Sequence, residues 1–298
     1  MFMFIIPMIL FFTVESLLWK KNRKSPLQTL FGTTFWSLIA ITIVFVTTLL
    51  NVDDPFVNFS WAVIGFISLQ AGLVICNILL WVGVMKSLPL SIAEPTALSR
   101  VILLTILSVA IFGGDLGLLE ILLVCGIFVS CVGLSFFQGK YKKREMDRNY
   151  IKGLFLLFLW VLTSVSINLI ATHLLKPAAF GGLGVRPITQ AATQVFLIFV
   201  ITLVIFLIKQ PKQLWTTVKE SFDNKIHMCI GASGVFGRIC FSIILATTAI
   251  NVGILTAIQI ATVALVVIYS VIFVKERPKI LSYFFIAAII ACAVVLSL

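Results

Sequence analysis

An all-α polytopic membrane protein, with ten transmembrane helices arranged as a 5+5 inverted repeat, is the fold that the sequence predicts. Three observations carry the prediction. The 298-residue chain is 61% hydrophobic and 11% charged, with a mean hydropathy of +1.17. Its apolar residues gather into stretches of about 20, the length a helix needs to cross a bilayer. Its basic residues fall almost wholly on alternate connections. A soluble domain is roughly 45–50% apolar and about 25% charged. In water this chain would expose apolar patches that no soluble monomer tolerates, which excludes soluble, disordered and fibrous classes.

The apolar stretches run over 2–19, 29–50, 60–84, 89–112, 117–137, 151–173, 187–208, 226–249, 251–274 and 280–298. The first follows Met1 with no basic region before it, so it reads as a retained span and not as a cleaved signal. NVDDPF (51–56) separates the second from the third. The fourth opens among Pro89 and Pro95, and each proline removes a backbone donor. A kinked or broken helix start is expected there. GGDLG (113–117) and VKERPK (274–279) are tight connections, whereas 139–150 and 209–225 are longer and charged. KPAAFGGLGVRP (176–187) reads as a plain connector, with a flexible gate as the alternative. Barrel strands are about 10 residues long and alternate in character; these stretches do neither. In lipid the backbone must satisfy its own hydrogen bonds, so the spans are helices.

Charge fixes the orientation. One set of connections holds Lys20, Lys21, Arg23, Lys24, Lys86, Lys140, Lys142, Lys143, Arg144, Arg148, Lys152, Lys209, Lys212, Lys219, Lys225, Lys275, Arg277 and Lys279, 18 cations in all. The other side holds Lys176 and Arg186 only. Positive loops stay cytoplasmic, so both termini are predicted extracytoplasmic. The membrane is expected to be the bacterial cytoplasmic (inner) membrane. The net charge of +11 is a loop charge, and no basic face with interleaved aromatics suggests nucleic acid. The six cysteines lie inside apolar stretches without a C-x-x-C pair and suggest neither disulfides nor a metal site.

The chain divides into a first five-helix repeat (1–138), a basic cytoplasmic linker (139–150) and a second repeat (151–298). Ile111-Phe112 followed by Asp115 matches Ile272-Phe273 followed by Glu276 at an offset of 161, and the same offset pairs Cys131 with Cys292. Five spans per half is odd, so the halves enter the membrane in opposite senses. Such inverted repeats build transporters around a midplane site.

The stretch MKSLPLSIAEPTALSRVILLTILSVAIFGGDLGLLEILLVCGIFVSCVGLSFF (85–137) has a small and Pro-rich helix start, an acidic turn and a Gly-containing final helix. It resembles the helix 3–5 signature of the EamA-like drug/metabolite transporter (DMT) superfamily. ATTAINVGILTAIQIATVALVVIYSVIFVKERPKILSYFFIAAIIACAVVLSL (246–298) looks like the second copy, with Lys275-Glu276-Arg277 at the family's Gly-Glu-Arg turn. The resemblance implies ten helices, a 5+5 inverted repeat and a central cavity formed by both halves. Many members carry cytoplasmic termini; the charges here place them opposite.

Charges inside spans are costly and are the first site candidates. Arg100 and Arg238 fall about halfway along the fourth and eighth stretches, and a guanidinium fork suits a carboxylate or phosphate. The bland alternative for each is pairing with a buried acid or helix-end carbonyls. Gln70, Asn77, Asn168, Gln190, Gln194 and Gln259 are candidate substrate contacts, each equally readable as an interhelical hydrogen bond. Glu94, beside Pro95, is the first candidate for a coupling proton, and Glu15 the second. Gly231, Gly234 and Gly237 are spaced three apart before Arg238, which suits close helix packing and also leaves room beside that arginine. Glu120 reads as an outer helix-end charge.

Neither a catalytic constellation nor a lone His173 nominates an enzyme or a metal site, and no cofactor is called for. The expected function is secondary transport of a small anionic or zwitterionic metabolite, of amino acid or organic acid type, by alternating access through a central cavity. The alternatives are a cation or drug exporter using Glu94, and a non-transporting membrane subunit. The partners expected are a small-molecule substrate, the lipid bilayer, and a coupling proton or exchanged metabolite, with no nucleic acid. Monomer and homodimer both stay open.

Overall fold

The computed structural model describes residues 2–21, 26–50, 56, 58–87, 99–113, 117–138, 148–248, 250–259, 265 and 280–297. Among them there is helix and no strand. The helices are α1 (Phe2–Lys21), α2 (Pro26–Leu49), α3 (Trp61–Ser87), α4 (Ser99–Phe112), α5 (Leu118–Gln138) and α6 (Arg148–Leu175). There follow α7 (Pro187–Lys209), α8 (Leu214–Asp223), α9 (Lys225–Thr247), α10 (252–259) and α11 (Ile280–Ser297). Each of the ten apolar stretches therefore holds helix in its described part. Five are long and apolar enough to cross a membrane: Leu27–Leu49, Trp61–Val84, Ile151–Leu175, Pro187–Lys209 and Lys225–Thr247. Large apolar side chains stand exposed along the helices, Ile43, Leu69, Leu122, Phe155 and Val204 among them. In water that surface would be a liability; it is compatible with an integral membrane protein.

The chain forms two compact units, and neither follows the sequence halves. Unit one comprises Met1–Ile75 and Ile170–Ala249; unit two comprises Cys76–Leu169 and Ile250–Leu298. Each unit therefore draws on both halves of the sequence.

In unit one, α9 packs on α1, α2 and α7, and α2 also packs on α7. Ile41, Ala191, Val195, Val235 and Ile239 form a buried apolar cluster where α2, α7 and α9 meet. The glycines of α9 set how closely these helices approach. A Cβ on Gly231 would lie 2.7 Å from the Thr33 carbonyl oxygen and 2.9 Å from the Ser37 nitrogen of α2. On Gly237 it would meet the Phe12 ring of α1 at 3.2 Å. Backbone contact of this kind needs a residue without a side chain, so the glycine triplet serves packing. Thr29, Thr33 and Thr34 are buried, and the hydroxyls of Thr33 and Thr34 bond carbonyls of their own helix. Asn224 caps α9, accepting from the amides of Ile226 and His227, an arrangement that satisfies otherwise orphaned donors.

In unit two, α5 packs along α11, with Gly126 facing Cys292 and Gly133 under the Phe285 ring. The lower part of α3 meets α6 through Trp81 and Trp160, whose ring centroids lie 4.7 Å apart. Asn251 begins α10: its Oδ1 accepts from the Gly253 amide and from Ser108 Oγ of α4 at 2.7 Å.

Candidate functional site

The polar residues singled out from the sequence divide between the units and differ in what they touch. Unit one pairs most of its own. Gln190 Nε2 of α7 donates to Gln70 Oε1 of α3 at 2.7 Å, and each side chain is 2% exposed. Gln194, one turn along α7, is also buried. The two amides are thus an interhelical bond, the structural alternative the sequence left open. Glu15 of α1 lies against α9, where a Cβ on Gly234 would come within 3.2 Å of its carboxylate. Arg238 is half-buried, one residue beyond Gly237, and makes no hydrogen bond or ion pair with a described residue.

Unit two gathers a polar belt around Arg100. This arginine is the second residue of the described part of α4; Glu94, Pro89 and Pro95 lie outside the described residues. Its Nη1 donates to Ser164 Oγ of α6 at 3.3 Å, and its guanidinium carbon stands 5.2 Å from the Trp160 ring centre. That distance is within cation–π range. Asn77 of α3 completes the belt, its Nδ2 donating to the Trp160 carbonyl at 3.0 Å and to Thr163 Oγ1 at 2.9 Å. Asn168 turns back on its own helix, to the Ser164 carbonyl. Ser164 and Thr163 sit near the middle of the apolar helix Ile151–Leu175, so Arg100 stands level with the middle of α6. Its Nε is buried without a hydrogen-bond partner, and no described acid pairs with it. A buried donor left unmade costs roughly 1–3 kcal/mol, more when charged. A carboxylate or phosphate oxygen is the group that would satisfy it. Gln259, half-buried at the end of the described α10, belongs to the same unit.

The connection after α6 is an ordered turn. Leu183, Gly184 and Val185 donate backbone bonds to the carbonyls of His173, Lys176 and Leu174 at 2.7–2.8 Å. Gly181 and Gly184 adopt positive φ of 75° and 65°, which glycine allows without strain. A side chain at Gly182 would overlap the Lys176 carbonyl. The Lys176 side chain is only 7% exposed beneath this turn, and burial pushes its ammonium below the usual lysine range. His173 Nδ1 donates to the Gly181 carbonyl, and its ring stands edge-on to Phe66. Asn58, at φ 58°, donates to the Gly184 carbonyl at 3.3 Å. At the start of α5, in unit two, Glu120 accepts from the Gly117 amide at 3.0 Å, as an acid at a helix start should.

Three features carried no sequence signal. His227, in the first turn of α9, is 3% exposed with its ring against Gly32 of α2. Asn251 links α10 to Ser108. The helix α8 lies within the 209–225 connection.

Neither a protein-family model nor a curated protein matches this chain. Among solved structures, one described only as "Crystal structure of protein" is similar over 98% of this chain and 94% of its own, at TM-score 0.70 and 16% identity. At that identity the likeness shows the fold alone.

Proposed function

We propose that the chain is a secondary transporter for a small anionic or zwitterionic metabolite, of amino acid or organic acid type. It works by alternating access in a ten-helix, 5+5 inverted-repeat architecture like that of the EamA-like drug/metabolite transporters. Arg100 carries the reading. It is a permanent cation level with the middle of α6, braced by Ser164 and Trp160, with a buried Nε that has no hydrogen-bond partner. Charged side chains are kept inside membranes where they mark substrate or ion pathways. Arginine's planar fork suits carboxylates.

The helix pairing supports the repeat. An inverted repeat equates spans one and six, two and seven, three and eight, and five and ten. The second packs on the seventh (α2 on α7) and the fifth on the tenth (α5 on α11). The first packs on the eighth (α1 on α9), and its counterpart, the third on the sixth, meets through Asn77, Trp81 and Gly83. Each pairing maps onto itself or onto its partner under the exchange, as a pseudo-two-fold axis in the membrane plane requires. The 18-to-2 division of loop cations supports an orientation with both termini outside the cytoplasm.

A thermal-shift panel on purified protein tests the reading with amino acids, organic acids, phosphorylated metabolites and lipophilic cations. A ligand at a hundred times its Kd stabilises the native state by about 2.7 kcal/mol. An acid should raise the melting temperature of the natural chain and leave Arg100→Gln unmoved. Stabilisation by lipophilic cations alone would replace this reading with a cation exporter.

A further inference from the structure

We propose that α8 lies in the membrane–water interface, with Trp215 and Phe222 in the lipid and Lys212 and Lys219 on the anionic headgroups of that leaflet. The inference does not rest on transport. Helix α8 (Leu214–Asp223) joins two membrane-length helices, α7 ending at Lys209 and α9 beginning at Lys225. It is amphipathic in the inverted sense. Its small polar residues face inward: Thr217 is 3% exposed and Ser221 1%, and Trp36 Nε1 of α2 donates to the Ser221 carbonyl at 2.8 Å. Its large aromatics face outward, Trp215 at 80% exposed and Phe222 at 54%. Only one edge of Phe222 is used, packed edge-on against Phe35 and Trp36 with centroids at 5.0 and 5.6 Å. Such a helix in water would have hydroxyls buried and an indole solvated, against both preferences. Facing lipid it is correctly oriented.

The charges identify the surface. Trp215, Lys219 and Phe222 fall on one helical stripe at i, i+4 and i+7. Lys209, Lys212 and Lys225 are exposed at the two ends, while the acids Glu220 and Asp223 occupy a different stripe. An indole at headgroup depth beside lysines is the arrangement of interfacial helices on anionic membranes. Each lysine near such a surface contributes attraction equivalent to about fivefold in lipid affinity. The segment also lies on the lysine-rich side of the chain, where anionic lipids hold positive loops. A second copy of the chain could also cover Trp215, but the lysines flanking it at 209, 212, 219 and 225 outnumber the two acids of α8 and favour an anionic surface.

The experiment uses the full chain in vesicles of phosphatidylcholine, with and without phosphatidylglycerol. The fluorescence lost in Trp215→Phe isolates Trp215. It should be quenched by lipids brominated high on the acyl chain and spared by aqueous iodide. Quenching by iodide alone, or by neither reagent, would overturn the placement, the second result indicating cover by a partner chain. Phosphatidylglycerol retained on the extracted protein should fall about fivefold per lysine in Lys212→Gln and in Lys212→Gln/Lys219→Gln, with phosphatidylcholine unchanged. Equal phosphatidylglycerol retention in all three proteins would overturn the headgroup contact.

Discussion

The polar groups singled out from the sequence meet different neighbours in the two units. In unit one several are taken up by packing: Gln70 bonds Gln190, threonine hydroxyls return to their own helices, and Gly231 and Gly237 bring α9 within backbone distance of its neighbours, although Arg186 Nε and Thr202 Oγ1 stay buried without a hydrogen-bond partner. In unit two Arg100 is braced on two sides, and its buried Nε has no hydrogen-bond partner. Arg100 differs from the unpaired Arg238 of unit one in being oriented by both a hydroxyl and an aromatic face. The difference teaches that mid-span polarity alone does not mark a binding site. What marks it is a polar group whose neighbours orient it without satisfying it.

The comparison can be broken most sharply at Gly231. Alanine there forces a Cβ onto the Thr33 backbone, and overpacking costs about 1–3 kcal/mol. Gly72→Ala, where nothing lies within 4 Å, should instead gain about 0.5–1 kcal/mol of helix propensity. Denaturant unfolding of both variants in one detergent reads the contrast; equal stabilities would remove the case for a close-packed unit one.

The next effect is smaller and opposite in sign. Leucine at position 100 removes a charge that costs about 2.5–3.5 kcal/mol on insertion scales, while forfeiting a cation–π contact of about 0.5–2 kcal/mol. Arg100→Leu should therefore stabilise the chain by on the order of 1 kcal/mol while losing the ligand. A destabilised Arg100→Leu would make this arginine a structural brace.

In unit one, Gln70→Leu leaves Gln190 unpaired and should cost about 1 kcal/mol. The double variant Gln70→Leu/Gln190→Leu should recover most of that loss, because both amides leave together. No recovery would mean that Gln190 has other work.

The smallest effect is a pH dependence. Burial lowers the Lys176 pKa in the folded chain, so the unfolded chain binds more protons between that value and the ordinary lysine pKa. Stability should climb with pH through that window, and Lys176→Met should flatten the climb. An unchanged slope in the variant would contradict a buried ammonium.

Much of this architecture was legible in the sequence, because bilayer length and positive loops are written locally. Helix lies in the described part of every predicted span, and the i, i+3 spacing of Gly231, Gly234 and Gly237 announced close approach. The fate of Gln70 and Gln190 was not legible, since 120 residues separate them and only the fold joins them. Helix α8 escaped because its mixed composition falls below a spanning signal, although Thr217 and Ser221 already carried the i, i+4 period. His227 had no local partner to give it away. Glu94, prominent in the sequence, lies outside the described residues.

The central claim is that Arg100 reads an anion through its guanidinium fork, and one measurement addresses it directly. Affinity for the stabilising acid found in the thermal panel is determined by titration calorimetry in the natural chain and in Arg100→Lys, with Gly72→Ala as an inert control. Lysine keeps the charge and loses the fork, so the account predicts about a ten- to hundred-fold weaker Kd for Arg100→Lys and no change for the control. An undiminished Kd in Arg100→Lys would contradict it.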